Sequence, residues 1–108
     1  MTLGTRYFTD RSETPYHYLY KMIAYRILRE LDRDCYVEFN TGSGIIDLVD
    51  FDTGMAYEFE TRTNKNKIEK KIENYTSYAG IKDVKIIKIS AKVTDYKMIR
   101  ILLSRVLV

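Results

Sequence analysis

Tryptophan and glutamine are missing from this chain altogether, and proline, cysteine and histidine occur once each. A single cysteine, Cys35, cannot close an internal disulfide, so the fold is not a disulfide scaffold and suits a reducing compartment. With one histidine and one cysteine there is no zinc-binding Cys/His set, and no Ser-His-Asp triad or Gly-rich phosphate loop supports another enzyme class. No stretch approaches the ~20 apolar residues of a membrane span. The opening MTLGTRYFTDRSETP lacks the apolar run of a secretory leader. These absences predict a soluble cytoplasmic protein with no membrane partner. The missing glutamine, scarce asparagine and plentiful Ile, Lys and Tyr lean toward a thermophilic source.

What remains is ordinary for a globular domain: 108 residues, 45% hydrophobic and 31% charged. A chain of this size buries a core without staples, which predicts one domain over residues 1–108, with a core at about 12–90 and a C-terminal helix at about 94–107. The net charge of +3 conceals two opposed halves. Residues 1–60 carry 6 Lys/Arg against 11 Asp/Glu, a net of −5, and residues 61–108 carry 12 against 4, a net of +8. Carboxylates that hold a cation beside lysines that attract phosphate would suit an enzyme acting on a polyanion. The competing reading is a solvated, lysine-rich surface.

Periodicity orders the elements. Ser12-Glu13-Thr14-Pro15 combines a hydroxyl cap, an early acid and a proline, and so starts a helix. In it Tyr16, Tyr20, Ile23, Ala24, Ile27, Leu28 and Leu31 recur at helical spacing, with His17, Lys21 and Arg29 on the other side. The first ten residues are expected to be loosely held. Cys35 to Phe39 alternates as a strand, Thr41 to Gly44 turns the chain, and Ile45–Phe51 and Met55–Arg62 form a hairpin about Asp52-Thr53-Gly54. Asn64 offers the next cap, before a helix with Ile68, Ile72, Tyr75 and Ala79 on one stripe and a stop at Gly80. Val84 to Ser90 is a fourth strand. Thr94 caps a last helix with Met98, Ile99, Leu102 and Val106 on its inner face. The predicted fold is α/β, order αβββαβα, a mixed four-stranded sheet with flanking helices and with the fourth strand parallel to a neighbour. Leu48, Phe59, Ile72, Ile87 and Leu102 are expected in its core.

The chemistry gathers on the hairpin. Strand alternation puts Glu58, Glu60 and Arg62 on one face, the two carboxylates roughly 7 Å apart. Asp47 joins them if the connection is two residues, opposite Glu60, or four, opposite Glu58; an unbulged three-residue loop would separate them. Converging carboxylates repel, and a hard divalent cation gives them a reason to converge. The alternative is a solvated acidic hairpin paired with nearby lysines. Cys35 has no activating neighbour and reads as a buried structural thiol. The tyrosines of the first helix read as core packing and a self-association surface.

Asp47, the 11-residue step and Glu58-Phe59-Glu60-Thr61-Arg62 resemble the motif set of the PD-(D/E)XK nucleases, and the element order matches that superfamily's αβββαβ core. The stretches GIIDLV and YEFETRTN are closest in character to archaeal Holliday junction resolvases and small nucleases of archaeal viruses. The resemblance implies a restriction-endonuclease-like fold and a Mg²⁺-dependent (or Mn²⁺-dependent) endonuclease cutting duplex or branched DNA. It also implies a homodimer, in the host cytoplasm if the source is viral.

By the resemblance, Asp47, Glu58 and Glu60 are the catalytic and metal-binding acids, with Lys71 as the catalytic cation. Glu13 on the first helix is a further metal ligand, and Glu38 a supporting acid. Arg62, Lys65, Lys67, Lys71 and Tyr75 would contact nucleic acid, Lys71 and Tyr75 standing where some members carry Gln-x-x-x-Tyr. One position departs from the pattern: Glu60 stands where the family has lysine. Arg62 in a shifted register, or Lys67 or Lys71 from the next helix, would replace that cation; otherwise the fold is a catalytically degenerate binding module. Removing Asp47 is expected to abolish metal-dependent cleavage and to leave the metal-free protein as stable or more so.

Overall fold

The computed structural model describes residues 13–62 and 64–107. The expected loose first ten residues and the Ser12 cap lie outside them. The elements are α1 (Pro15–Glu30), β1 (Cys35–Asn40), β2 (Ile45–Asp50), β3 (Met55–Glu60), α2 (Lys65–Thr76), β4 (Asp83–Lys88) and α3 (Tyr96–Leu107). The order is the predicted αβββαβα, in one sheet ordered β1-β2-β3-β4. The first two pairings are antiparallel, and β3–β4 is parallel, α2 being the crossover. This is a sheet and helix arrangement of generic restriction-endonuclease type.

The two faces of the sheet bury separate apolar clusters. Leu48, Tyr57, Phe59 and Ile87 point to the side covered by α1 (Ile23, Ala24, Ile27, Leu28) and α3 (Ile99, Leu103, Leu107). Ile46, Val49, Ala56 and Val84 point to the side where α2 supplies Tyr75 and Ile72. Cys35 is buried in the first cluster, and burial pushes its thiol up to about 11, as a structural thiol requires.

Thr14 caps α1 by accepting the His17 amide, with Pro15 in the first turn. At the other end of the helix Leu31 is exposed. Asn64 caps α2 through the Asn66 and Lys67 amides. That helix ends at Thr76, and Ala79 and Gly80 lie outside it in the turn that follows.

The last helix differs from expectation. Its cap is Asp95, which accepts the Met98 amide, in place of Thr94. The buried stripe is Ile99, Leu103 and Leu107, whereas Met98 (48%), Ile101 (51%) and Leu102 (41%) face solvent. Stripes at i, i+3 and i, i+4 both satisfy helical periodicity, and with apolar residues at 101, 102 and 103 only the docking angle of α3 chooses between them. Leu102 therefore does not contribute to the core.

The hairpin connection is four residues, Phe51 to Gly54, which sets Leu48 opposite Tyr57 and Asp50 opposite Met55. Gly54 closes it with φ +78°, at a point where a Cβ would lie 2.9 Å from the Lys82 side chain. At this end the fully buried Asp50 receives Arg33 at 2.6 Å, fastening the α1–β1 connection to the sheet. At the opposite end the sheet opens. Glu38 has φ +52°, costly for a residue with a side chain. Across this point the alternation slips by one: Val37 and Leu48 face the α1 side, Phe39 and Ile46 the α2 side.

Candidate functional site

The open end is a cleft of about 370 Å³ between the start of α1, the ends of β1 and β3 and the start of β2. Glu13, His17, Glu38, Asp47, Glu58 and Glu60 line it. It exists because the β2–β3 ladder gives way to side chains. Beyond the Leu48–Tyr57 pair, the Asp47 amide donates to Glu58 Oε2 at 2.8 Å and the Phe59 amide donates to Asp47 Oδ2 at 2.9 Å. Two carboxylates thus occupy places where strand carbonyls would otherwise accept, which satisfies the amides and holds both acids at the cleft wall.

Every acid of the cleft is at least partly shielded, Glu60 the least, and three cations hold the group together. From α2, the Lys71 ammonium donates to Glu58 Oε1 at 2.7 Å and to Glu60 Oε2 at 2.6 Å. From α1, Lys21 Nζ donates to Glu38 Oε2 at 2.9 Å and to Glu13 at 3.1 and 3.3 Å. Between them His17 bridges Glu13, through Nδ1, and Asp47 Oδ2, through Nε2 at 3.2 Å.

The titration shifts follow from this geometry. Burial and then the Asp47 charge push Glu58 up to about 7, against the opposing pull of Lys71. Burial drives His17 down, but the Asp47 and Glu13 carboxylates outweigh it and lift the imidazole to about 9. Burial likewise works against charge on Lys71, and Glu58 and Glu60 more than reverse it, keeping the ammonium charged. For Lys21 burial prevails over Glu38, and its pKa falls below the usual lysine range.

The four-residue connection sets Asp47 across from Glu58, so Asp47, Glu58 and Glu60 do meet at one cleft. Glu13 and Glu38 join them. Of the two α2 lysines considered as replacements for the motif lysine, Lys71 reaches the acids; Lys67 is exposed, and its recorded contact is the backbone cap on Asn64. Arg62 and Lys65 are exposed beyond the cleft. Tyr75 is not a surface for bases: it is buried, its hydroxyl donates to the Ile45 carbonyl at 3.2 Å, and burial pushes its pKa up to about 12.

His17 and Lys21, read from periodicity as outward-facing, are the two residues the sequence argument missed. Lys21 is 0% exposed. The available signal was spacing: 13, 17 and 21 fall four apart on one helix side, in line with the buried Ala24 and Leu28, so the polar stripe continues the core stripe.

The oxygen donors are of the kind a hard divalent cation takes. In this arrangement, however, lysine and histidine hold them, and among the described residues no set of three or more His, Cys, Asp or Glu side chains is laid out to bind a metal. No helix among the described residues is long and apolar enough to cross a membrane. In comparisons with family models, curated proteins and solved structures, nothing matches this chain.

Proposed function

We propose that this protein is a Mg²⁺-dependent endonuclease acting on duplex or branched DNA, with Mn²⁺ as an alternative cation, and that it works as a homodimer. The observation that carries the reading is Lys71: an ammonium from the crossover helix stands between Glu58 and Glu60, on a restriction-endonuclease-type sheet, beside Asp47. This supplies from α2 the positive charge that Glu60 removes from the motif. Asp47 and Glu58 would hold the cation, with Glu13 and Glu60 as further donors. When bound, such a cation activates water and stabilises charge on a phosphodiester. The chain's own residues contribute the rest: Glu60 fixes Lys71 toward the reacting phosphate, His17 and Lys21 hold Glu13, and Arg62, Lys65 and Lys67 would lie under the nucleic-acid backbone.

The test is cleavage of supercoiled plasmid and of a four-way junction with Mg²⁺ or Mn²⁺, alongside Mn²⁺ affinity. Asp47→Asn should abolish cleavage while retaining the fold. Asp47→Ala should cost about 1–3 kcal/mol of stability, because it strands the Phe59 amide. The sequence alone leads to the opposite expectation, that relieving one of several crowded carboxylates leaves the metal-free protein as stable or more so, and the unfolding of Asp47→Ala decides between them. Cleavage that survives Asp47→Asn would exclude this site.

A second reading is favoured by one observation: the cleft acids are already held by cationic side chains and form no ready ligand set. On this reading the fold binds nucleic acid or protein without cutting. DNA binding with no cleavage under either cation selects it.

A further inference from the structure

The cleft presents a difficulty for any polyanion. Five carboxylates line it, from Glu13, Glu38, Asp47, Glu58 and Glu60. Against them stand three cations, His17, Lys21 and Lys71, each already engaged with two of those acids. Phosphate must therefore be gripped at the rim, by cations that no internal acid holds.

β4 supplies one at the right place. It runs parallel to β3 in the register Glu58–Ile86, Phe59–Ile87, Glu60–Lys88. Paired residues of a parallel ladder project to the same face, as the burial of Phe59 with Ile87 shows. Lys88 therefore leaves the sheet beside Glu60, on the side where Lys71 approaches. The next residue, Ile89, lines the cleft, and its amide donates to the Glu60 carbonyl at 2.9 Å, fixing the end of β4 against the site. Lys88 is exposed, and among the described residues nothing engages its ammonium.

Lys85, on the same strand and also exposed, is in register with Tyr57 and leaves by the opposite face. The two lysines match in exposure and strand and differ in what they stand beside: Lys88 pairs with Glu60, a residue of the cleft lining, and Lys85 with Tyr57, which is not one.

We infer that Lys88 is a phosphate contact of the cleft, holding the nucleic-acid backbone beside Glu60 from a strand outside the motif. The inference rests on the nucleic-acid reading above. It also accounts for how an acid-rich site would take an anionic substrate: the acids are covered by Lys71 and His17 on the inside, and the approaching backbone meets Lys88 at the edge.

The test measures the affinity of the full chain for a fluorescein-labelled four-way junction and a 30-bp duplex, by anisotropy in EDTA across a salt series. Lys88→Ala should weaken binding about three- to tenfold and flatten the slope of log Kd against log salt by about 0.9, as expected for one lost phosphate contact. Lys85→Ala should stay within about twofold with the slope unchanged, since bulk charge alone would move both variants equally. Mn²⁺ affinity should be the same in Lys88→Ala and the unmodified protein, because Lys88 touches none of the cleft acids. Equal behaviour of the two alanine variants, whether both weaken or neither does, overturns the role of Lys88. Failure of the unmodified protein to bind either DNA, both in EDTA and with Ca²⁺ in its place, overturns the nucleic-acid reading itself, an outcome visible before any variant is made.

Discussion

Replacing Lys21 with methionine isolates the most unusual feature of the molecule, an ammonium with no exposure to solvent. Methionine fills nearly the same volume, so packing is held and only the charge is removed. In the folded protein Glu13, with a side chain 10% exposed, and Glu38, at 24%, would each lose a cation at about 3 Å. Breaking a buried pair by deleting one partner costs about 3–5 kcal/mol, because the remaining charge is stranded. Glu13 keeps His17 and Glu38 keeps some water, which places the expected loss near 3 kcal/mol. For a chain of this size that corresponds to a fall in Tm of roughly 10–20 °C.

Urea unfolding at pH 7.5, followed by far-UV circular dichroism, measures it directly, with an unchanged m-value showing that the unfolded state is the same. Adding Glu13→Gln and Glu38→Gln to the methionine variant should recover more than half of the loss, since neutral amides need no counter-charge. The deficit should also fade as pH falls: burial already raises the Glu13 pKa, and without Lys21 the charged form loses a partner, so its share of the penalty is present above that pKa and disappears once Glu13 is protonated. A loss below about 1 kcal/mol at pH 7.5 would refute the view that this ammonium neutralises Glu13 and Glu38.

Because His17 is the chain's only histidine, an NMR titration of its imidazole reads one site without assignment, and the midpoint should lie near 9. Its folded pKa is raised above 6.5, so its stabilisation, up to about 3 kcal/mol, is fully present below pH 6.5 and lost as pH rises through 9. His17→Ala should accordingly cost most at pH 6 and little at pH 10. On α3, Leu103→Ala should cost about 2–5 kcal/mol and Leu102→Ala under about 1, which thermal unfolding of the two variants would separate; equal losses would mean the helix docks by a different face.

The architecture was legible because each element carries its own local signal. Thr14-Pro15 and Asn64 act as caps, the alternation of Met55 to Glu60 marks a strand, and a crossover helix forces a parallel β4. The meeting of Asp47 with Glu58 was legible only conditionally, since it turns on whether the hairpin connection is even or odd. What could not be read was any feature set by tertiary docking. Leu102 and Leu103 are equivalent until α3 is placed on the sheet. Lys21 has the spacing of the buried stripe, but its partner is unreadable until β1 turns at Glu38 and brings that carboxylate to it. Lys88 is one of many basic residues until the β3–β4 register sets it beside Glu60.

The two ends of β2 show which property separates a site from a structural ion pair. Asp50, at the closed end, is fully buried, and the chain itself occupies both of its oxygens: Arg33 reaches Oδ2 at 2.6 Å and the Asp52 amide donates to Oδ1 at 2.9 Å. A buried carboxylate satisfied in this way is a structural group, and it faces no cleft. Three residues earlier Asp47 is the centre of a group in which five carboxylates meet three cations, so one or two negative charges remain uncompensated, depending on whether Glu58, with its pKa near 7, is protonated. Uncompensated carboxylates in a shielded cleft are unstable by several kcal/mol unless something positive arrives, and a fold gains nothing in stability by keeping them. Burial and acidity are common to both ends of the strand. In the open cleft the carboxylates outnumber the cations that hold them, and on the metal-dependent reading it is this surplus, rather than the presence of acids, that would draw a cation there.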